Sequence, residues 1–166
     1  MDKLKIVMTK LSMLAERQLN YLLNDKLNQK LPPFINLGKL GLNFGLQGMQ
    51  FTATSTVAEN QTLSFPMYVH SIPNNNDNQD IVSMGCNAAL MTRKVIDNGF
   101  DVLAIQTMAL AQAIDHLKCQ PRLSSFAHNF YEQLRGMVGP IVNDEPRYKD
   151  IQSVRNLADA LAVRTI

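Results

Sequence analysis

The sequence predicts an all-α, long-helix bundle forming a single helical domain over residues 1–166, on three observations. Apolar residues near the start recur at helical spacing. No proline interrupts the chain between Pro73 and Pro121. Nowhere does the apolar/polar alternation of a half-buried strand appear. A chain of this length fits one domain and can bury a sizeable core.

Taken in order, Leu4, Val7, Met8, Leu11, Leu14, Leu19, Leu22 and Leu23 follow the i, i+3, i+4, i+7 pattern of an amphipathic helix. That helix is expected to stop near Asn24-Asp25. Pro32-Pro33 with Gly38, Gly41, Gly45 and Gly48 then forbids regular structure. A second helix is expected from Leu46 to Leu63, slim at Ala53, Thr54, Ser55, Thr56 and Ala58. Ser64 to Asp77 reads as a loop held by Pro66 and Pro73. From Asp80 to Lys118 the pattern reads as one helix of roughly forty residues, about 60 Å long at 1.5 Å per residue. Gly85 and Gly99 weaken it locally, by about 1 kcal/mol each relative to Ala. Its section Val102–Ile114 is apolar or uncharged all round, the mark of a helix enclosed by others. Two shorter helices follow, near Ser125–Arg135 and Tyr148–Val163. The last presents Ile151, Val154, Leu157, Ala158 and Leu161 as its apolar face.

Charge is scarce and unevenly placed. Charged residues make up 18% of the chain, against about 25% in an average protein. Nine fall in residues 1–30, but from Leu40 to Thr92 only Glu59, Asp77 and Asp80 are charged. A membrane span over 40–58 is excluded by Asn43, Gln47, Gln50 and the Thr/Ser run, so no membrane partner is expected. Burial in an oligomer core accounts better for the depletion. Scattered basic residues, with a net charge of +2, argue against nucleic acid. Two cysteines outside any CxxC pair, and no apolar stretch resembling a signal peptide, point to a cytoplasmic chain.

Most chemical motifs fail on spacing. Gly38-Lys39-Leu40-Gly41 lacks the Ser or Thr that a phosphate loop requires after its lysine. His70, His116, His128, Cys86 and Cys119 have no zinc-ligand spacing, so no metal is expected. No GxSxG marks a hydrolase nucleophile. Asn74 to Asp80 is different. It reads either as a polar loop with a helix cap or as a binding element. In a helical first turn, Asn75, Asn78 and Gln79 would point to one side, and neutral amides there offer donors and acceptors to a zwitterionic ligand.

Ordered motifs then carry a resemblance. Leu31-Pro32-Pro33-Phe34, Gly41-Leu42-Asn43-Phe44-Gly45, Thr52-Ala53-Thr54 and Val57-Ala58-Glu59-Asn60 are four of them. His70-Ser71-Ile72-Pro73, Asn78-Gln79-Asp80-Ile81-Val82-Ser83-Met84-Gly85 and Ala109–Asp115 complete the series. Over about residues 12–162 the chain resembles the C-terminal third of the aromatic amino-acid ammonia-lyases and 2,3-aminomutases. The resemblance implies the C-terminal part of that all-helical fold and a homotetramer built round long helices. It implies elimination of ammonia from histidine, phenylalanine or tyrosine, or migration of the amine to the β carbon. The electrophile in that family is a methylidene-imidazolone made from an internal Ala-Ser-Gly, and each active site draws on three subunits.

Carried over by motif, Asn78 and Gln79 resemble the family's Asn-Gln pair lining the substrate pocket, with Asn75 beside it. Histidine ammonia-lyases have a carboxylate at the position of Gln79, so Asn-Gln is closer to the phenylalanine and tyrosine enzymes. The chain contains no Ala-Ser-Gly and no Ser-Gly. It is therefore expected to contribute no catalytic residue and no cofactor, and to be inactive alone. A separate N-terminal ammonia-lyase portion is then an implied partner. The alternative is a non-catalytic helical self-association module derived from the same family.

Overall fold

The computed structural model describes the backbone of residues 1–163 and the side chains of residues 1–160. Six α-helices appear there: α1 Asp2–Leu23, α2 Asp25–Asn28, α3 Gln47–Leu63, α4 Gly85–Leu117, α5 Ser125–Met137 and α6 Tyr148–Val163. Among the described residues no strand forms, only isolated bridges at Leu40–Asn43 and Asn74–Gln79. α4 is the axis, and α1, α3 and α6 pack along it. The core joins Ala15, Leu19 and Leu23 of α1, Met49, Ala53 and Val57 of α3, and Val102, Ile105, Met108 and Ala109 of α4. Ile151 and Val154 of the expected α6 face turn inward as anticipated, whereas Leu161 lies outside the described side chains.

Two expectations are corrected. The long helix begins at Gly85, so its 33 residues span about 50 Å. Met84 sits at φ 43°, a left-handed residue that cannot continue a helix backward. The inward face of α1 also differs. Lys5, Thr9, Ser12, Ala15, Glu16, Leu19 and Leu23 are buried, while Leu4, Val7, Leu11 and Leu14 are exposed. The reason lies in what α1 meets. A Cβ at Gly99 of α4 would stand 3.4 Å from Ser12 Oγ, so the two helices approach too closely there for a large side chain.

The polar residues in this seam are hydrogen-bonded, as burial requires. Asn60 of α3 donates to Ser12 Oγ (3.2 Å) and to the Val95 carbonyl (3.3 Å), and its own side-chain oxygen accepts from Asn98 (2.9 Å). Thr9 donates to the Asn60 carbonyl at 3.1 Å. Asn28 closes the end of α1, donating to the carbonyls of Tyr21, Leu22 and Asn24 and accepting from the backbone of Lys30 and Leu31.

Along Val102–Ile114 the enclosure is incomplete within one chain. Val102, Ala104, Ile105, Met108, Ala109, Ala111, Gln112 and Ala113 are buried. Leu103 and Leu110, seven residues apart on one face, are each 44% exposed.

Candidate amide turn at the α3–α4 junction

The chain leaves α3 at Leu63, makes a short turn at Met67–Val69, extends through Pro73, reverses, and enters α4 at Gly85. The reversal is a hairpin. Asn74 and Gln79 exchange backbone hydrogen bonds of 3.0 and 3.3 Å, and the Asn78 N–H donates to the Asn75 carbonyl at 3.1 Å. Asn75, Asn76 and Asp77 lie at φ 53°, 53° and 61°. Asn and Asp are the non-glycine residues that tolerate this region best, which explains the composition of the segment.

The three amides expected to bind, Asn75, Asn78 and Gln79, therefore meet in one turn, by a different geometry from the helical one anticipated. The run of left-handed residues rules out a helix there. All three are exposed, and among the described residues none of their side chains has a hydrogen-bond partner. The three amides are thus open to solvent. The legs of the hairpin are cross-tied by Ser71, whose hydroxyl donates to the Asp80 carbonyl (2.9 Å) and accepts from the Val82 N–H (3.3 Å). His70 sets its ring 5.7 Å from that of Phe65, tilted by 52°. Among the described residues no group of three His, Cys, Asp or Glu is placed to hold a metal ion. No described helix is long and apolar enough to cross a membrane.

The sequence reading passed over Asp2 and Lys5, which hold the base of this segment. The Asp2 carboxylate accepts from the Met67 N–H (3.0 Å) and the Tyr68 N–H (3.1 Å). Lys5 pairs with Asp2 at 2.9 Å and donates to the Phe65 carbonyl at 2.7 Å. Their i, i+3 spacing and opposite charge were the available signal. The backbone N–H of Met67, opposed by some desolvation and helped by Lys5 and Tyr68, holds the Asp2 carboxyl below its ordinary value.

That depression has a definite sign. A carboxyl with a lowered folded-state pKa stabilises the fold above its unfolded value of about 3.9, and the contribution is lost as pH falls through the lower folded value. Asp2→Asn is therefore expected to be less stable than the parent at neutral pH. The gap should shrink below about pH 4. Urea midpoints of both proteins from pH 3 to 7 check this, and a gap that widens on acidification contradicts it.

Comparison with known proteins places these features in context. The profile of the aromatic amino acid lyase family matches residues 1–136. The chain is 42% identical over 162 residues to the MIO-dependent tyrosine 2,3-aminomutase of Streptomyces globisporus, covering 98% of this chain and 29% of that protein. It is 38% identical to histidine ammonia-lyase of Staphylococcus saprophyticus, covering 98% and 32% respectively. The crystal structure of the Streptomyces globisporus tyrosine aminomutase superposes with a TM-score of 0.92 at 40% identity, over 98% of this chain and 31% of that one. Histidine ammonia-lyase from Trypanosoma cruzi superposes at 0.88 with 32% identity, covering 98% and 31%. The chain thus spans about three-tenths of the length of the relatives it matches.

Proposed function

The chain belongs to the aromatic amino acid lyase family, and from that premise we propose that it supplies oligomer-core helices and one wall of a substrate pocket to an ammonia-lyase or aminomutase. The observation that carries this reading is the exposed amide turn of Asn75, Asn78 and Gln79 within the matched region. A zwitterionic aromatic amino acid presents an ammonium donor and carboxylate acceptors, and neutral amides answer both without adding charge. Asn-Gln rather than a carboxylate favours phenylalanine or tyrosine over histidine. The methylidene-imidazolone of such enzymes, an electrophile that captures the substrate, does not fit this chain's own residues, because they include no Ala-Ser-Gly. What these residues supply is binding and orientation.

The test replaces the matched segment of the Streptomyces globisporus tyrosine 2,3-aminomutase with this chain. In an active chimaera, Gln79→Ala should lower kcat/KM for tyrosine by about 5–100-fold, the loss of one shielded polar contact, with the assembly unchanged. Unaltered kcat/KM would falsify the reading. The 166-residue chain alone should yield no urocanate, cinnamate or coumarate from histidine, phenylalanine or tyrosine.

Self-association rests on the uncovered apolar faces. Leu103 and Leu110 of α4, with Leu4, Val7, Leu11 and Leu14 of α1, remain largely exposed in one chain. Fully burying each such side chain is worth about 1.5–3 kcal/mol. The chain is expected to form a homo-oligomer, a tetramer by family resemblance, at micromolar concentration. Sedimentation as a single monomeric species would count against it. The same faces favour the second reading, a self-association module without chemistry, and a chimaera that assembles but turns over no substrate would support that one instead.

A further inference from the structure

Lys5 is a charged side chain with no solvent exposure, a costly arrangement unless every donor is matched. Its ammonium has three protons and three partners: the Phe65 carbonyl at 2.7 Å, Asp2 Oδ1 at 2.9 Å and Met91 Sδ at 3.6 Å. Phe65 lies two residues beyond α3, and Met91 lies in the second turn of α4. The ammonium therefore sits where the segment joining those helices leaves one and enters the other. Asp2 uses both carboxylate oxygens on the same segment, at Met67 and Tyr68. Thr92, next to Met91, donates to the Met1 carbonyl at 3.2 Å, tying the returning end to the same turn of α1.

Between these ties the described hydrogen bonds are local, and His70 sets its ring against Phe65. Residues 70–81 are all exposed. The hydrogen bonds holding the hairpin run within it or across its legs, at Asn74–Gln79, Asn75–Asn78 and Ser71–Asp80. Such bonds define the shape of the hairpin but not its direction relative to the helices. The direction is decided at its base, by groups that an apolar side chain could not replace, because carbonyls and N–H groups need charged or polar partners there.

We propose that Asp2 and Lys5 are positioning residues for the amide turn, fixing the direction in which residues 70–81 leave the helical body and so where Asn78 and Gln79 stand. The significance for substrate binding rests on the pocket reading above; the positioning itself does not. The pair acts through backbone groups of Phe65, Met67 and Tyr68 and touches no ligand. The depressed carboxyl of Asp2 agrees with a carboxylate kept ionised by those N–H donors.

Hydrogen exchange of the full 166-residue chain, read by mass spectrometry at neutral pH, tests this. Lys5→Met keeps the length and apolar stem of the side chain but removes the ammonium. It should raise exchange in residues 65–84 about tenfold or more and leave residues 102–114 unchanged. Asp2→Asn, a milder change at a partly exposed site, should raise exchange at Met67 and Tyr68 and keeps the question answerable if Lys5→Met does not fold. Unchanged exchange in 65–84, or an equal rise through 102–114, overturns the proposal. In the chimaera, Lys5→Met should lower kcat/KM yet add little to Gln79→Ala, since both act through one turn. Fully multiplicative losses would show that Lys5 acts elsewhere. A loosened segment with a silent Gln79→Ala would refute the pocket reading and leave the positioning role standing.

Discussion

Gln112→Leu is expected to remove about 3–5 kcal/mol from the unfolding free energy, at the upper end for a single substitution. Gln112 lies in α4 with no solvent exposure. Its amide donates to the Ile35 carbonyl (3.2 Å) and the Ile141 carbonyl (2.7 Å), and its oxygen accepts from the Ile141 N–H (2.9 Å). Leucine fills nearly the same volume, so cavity formation is minor and the cost is polar. It strands three buried backbone groups, at about 1–3 kcal/mol each before relaxation. Ile35 itself stands at φ 47°, strained for a β-branched residue, so its anchor also holds an unfavourable backbone conformation in place. Urea unfolding of parent and variant at equal protein concentration measures the difference, since self-association shifts apparent stability. A loss below about 1 kcal/mol would mean that those groups find other partners.

Gly45→Ala should cost about 2–4 kcal/mol for two reasons that add. Gly45 lies at φ 58°, where an L side chain is strained. A Cβ there would also come within 2.8 Å of the Phe34 carbonyl oxygen and 2.9 Å of Asn36 Cα, both backbone atoms that cannot swing aside. The same loop carries the Leu46 N–H to Phe34 carbonyl bond of 3.0 Å that closes the approach to α3. Gly48→Ala provides the contrast, since a Cβ at Gly48 meets nothing within 4 Å. Within a helix that change should be neutral or mildly stabilising. Equal thermal midpoints for Gly45→Ala and the parent would contradict the expected strain.

Much of this architecture was legible in the sequence. Helix type, and every described α-helix but the four-residue α2, follow from periodicity and from where proline is absent, both local properties of the chain. Thus α3, α5 and α6 fall within one or two residues of the expected positions. The family, too, was legible, because short ordered motifs such as Asn78–Gly85 survive as strings regardless of packing. The start of α4 was not. The Asn-rich segment suits a helix cap and a left-handed turn equally well, and only the run of positive φ from Asn75 to Asp77 separates them. The three candidate amides lie in one hairpin turn, not in the helical turn that their spacing suggested.

What lay beyond the sequence is of one kind. By composition, α1 should bury Leu4, Val7, Leu11 and Leu14. Instead Thr9 and Ser12 turn inward onto Asn60, which Asn98 holds in turn, Lys5 turns inward onto Asp2 and the Phe65 carbonyl, and Gly99 lets α4 come close. Burial of a polar side chain is decided by whether a partner waits at hydrogen-bond distance, and for Thr9, Ser12 and Lys5 the partners on other elements lie 48 to 86 positions away. Local sequence therefore determined which segments are helical and which family they belong to. Tertiary structure alone decided which face of α1 turns inward, and that the Lys5 ammonium would reach the Phe65 carbonyl at the base of the amide turn.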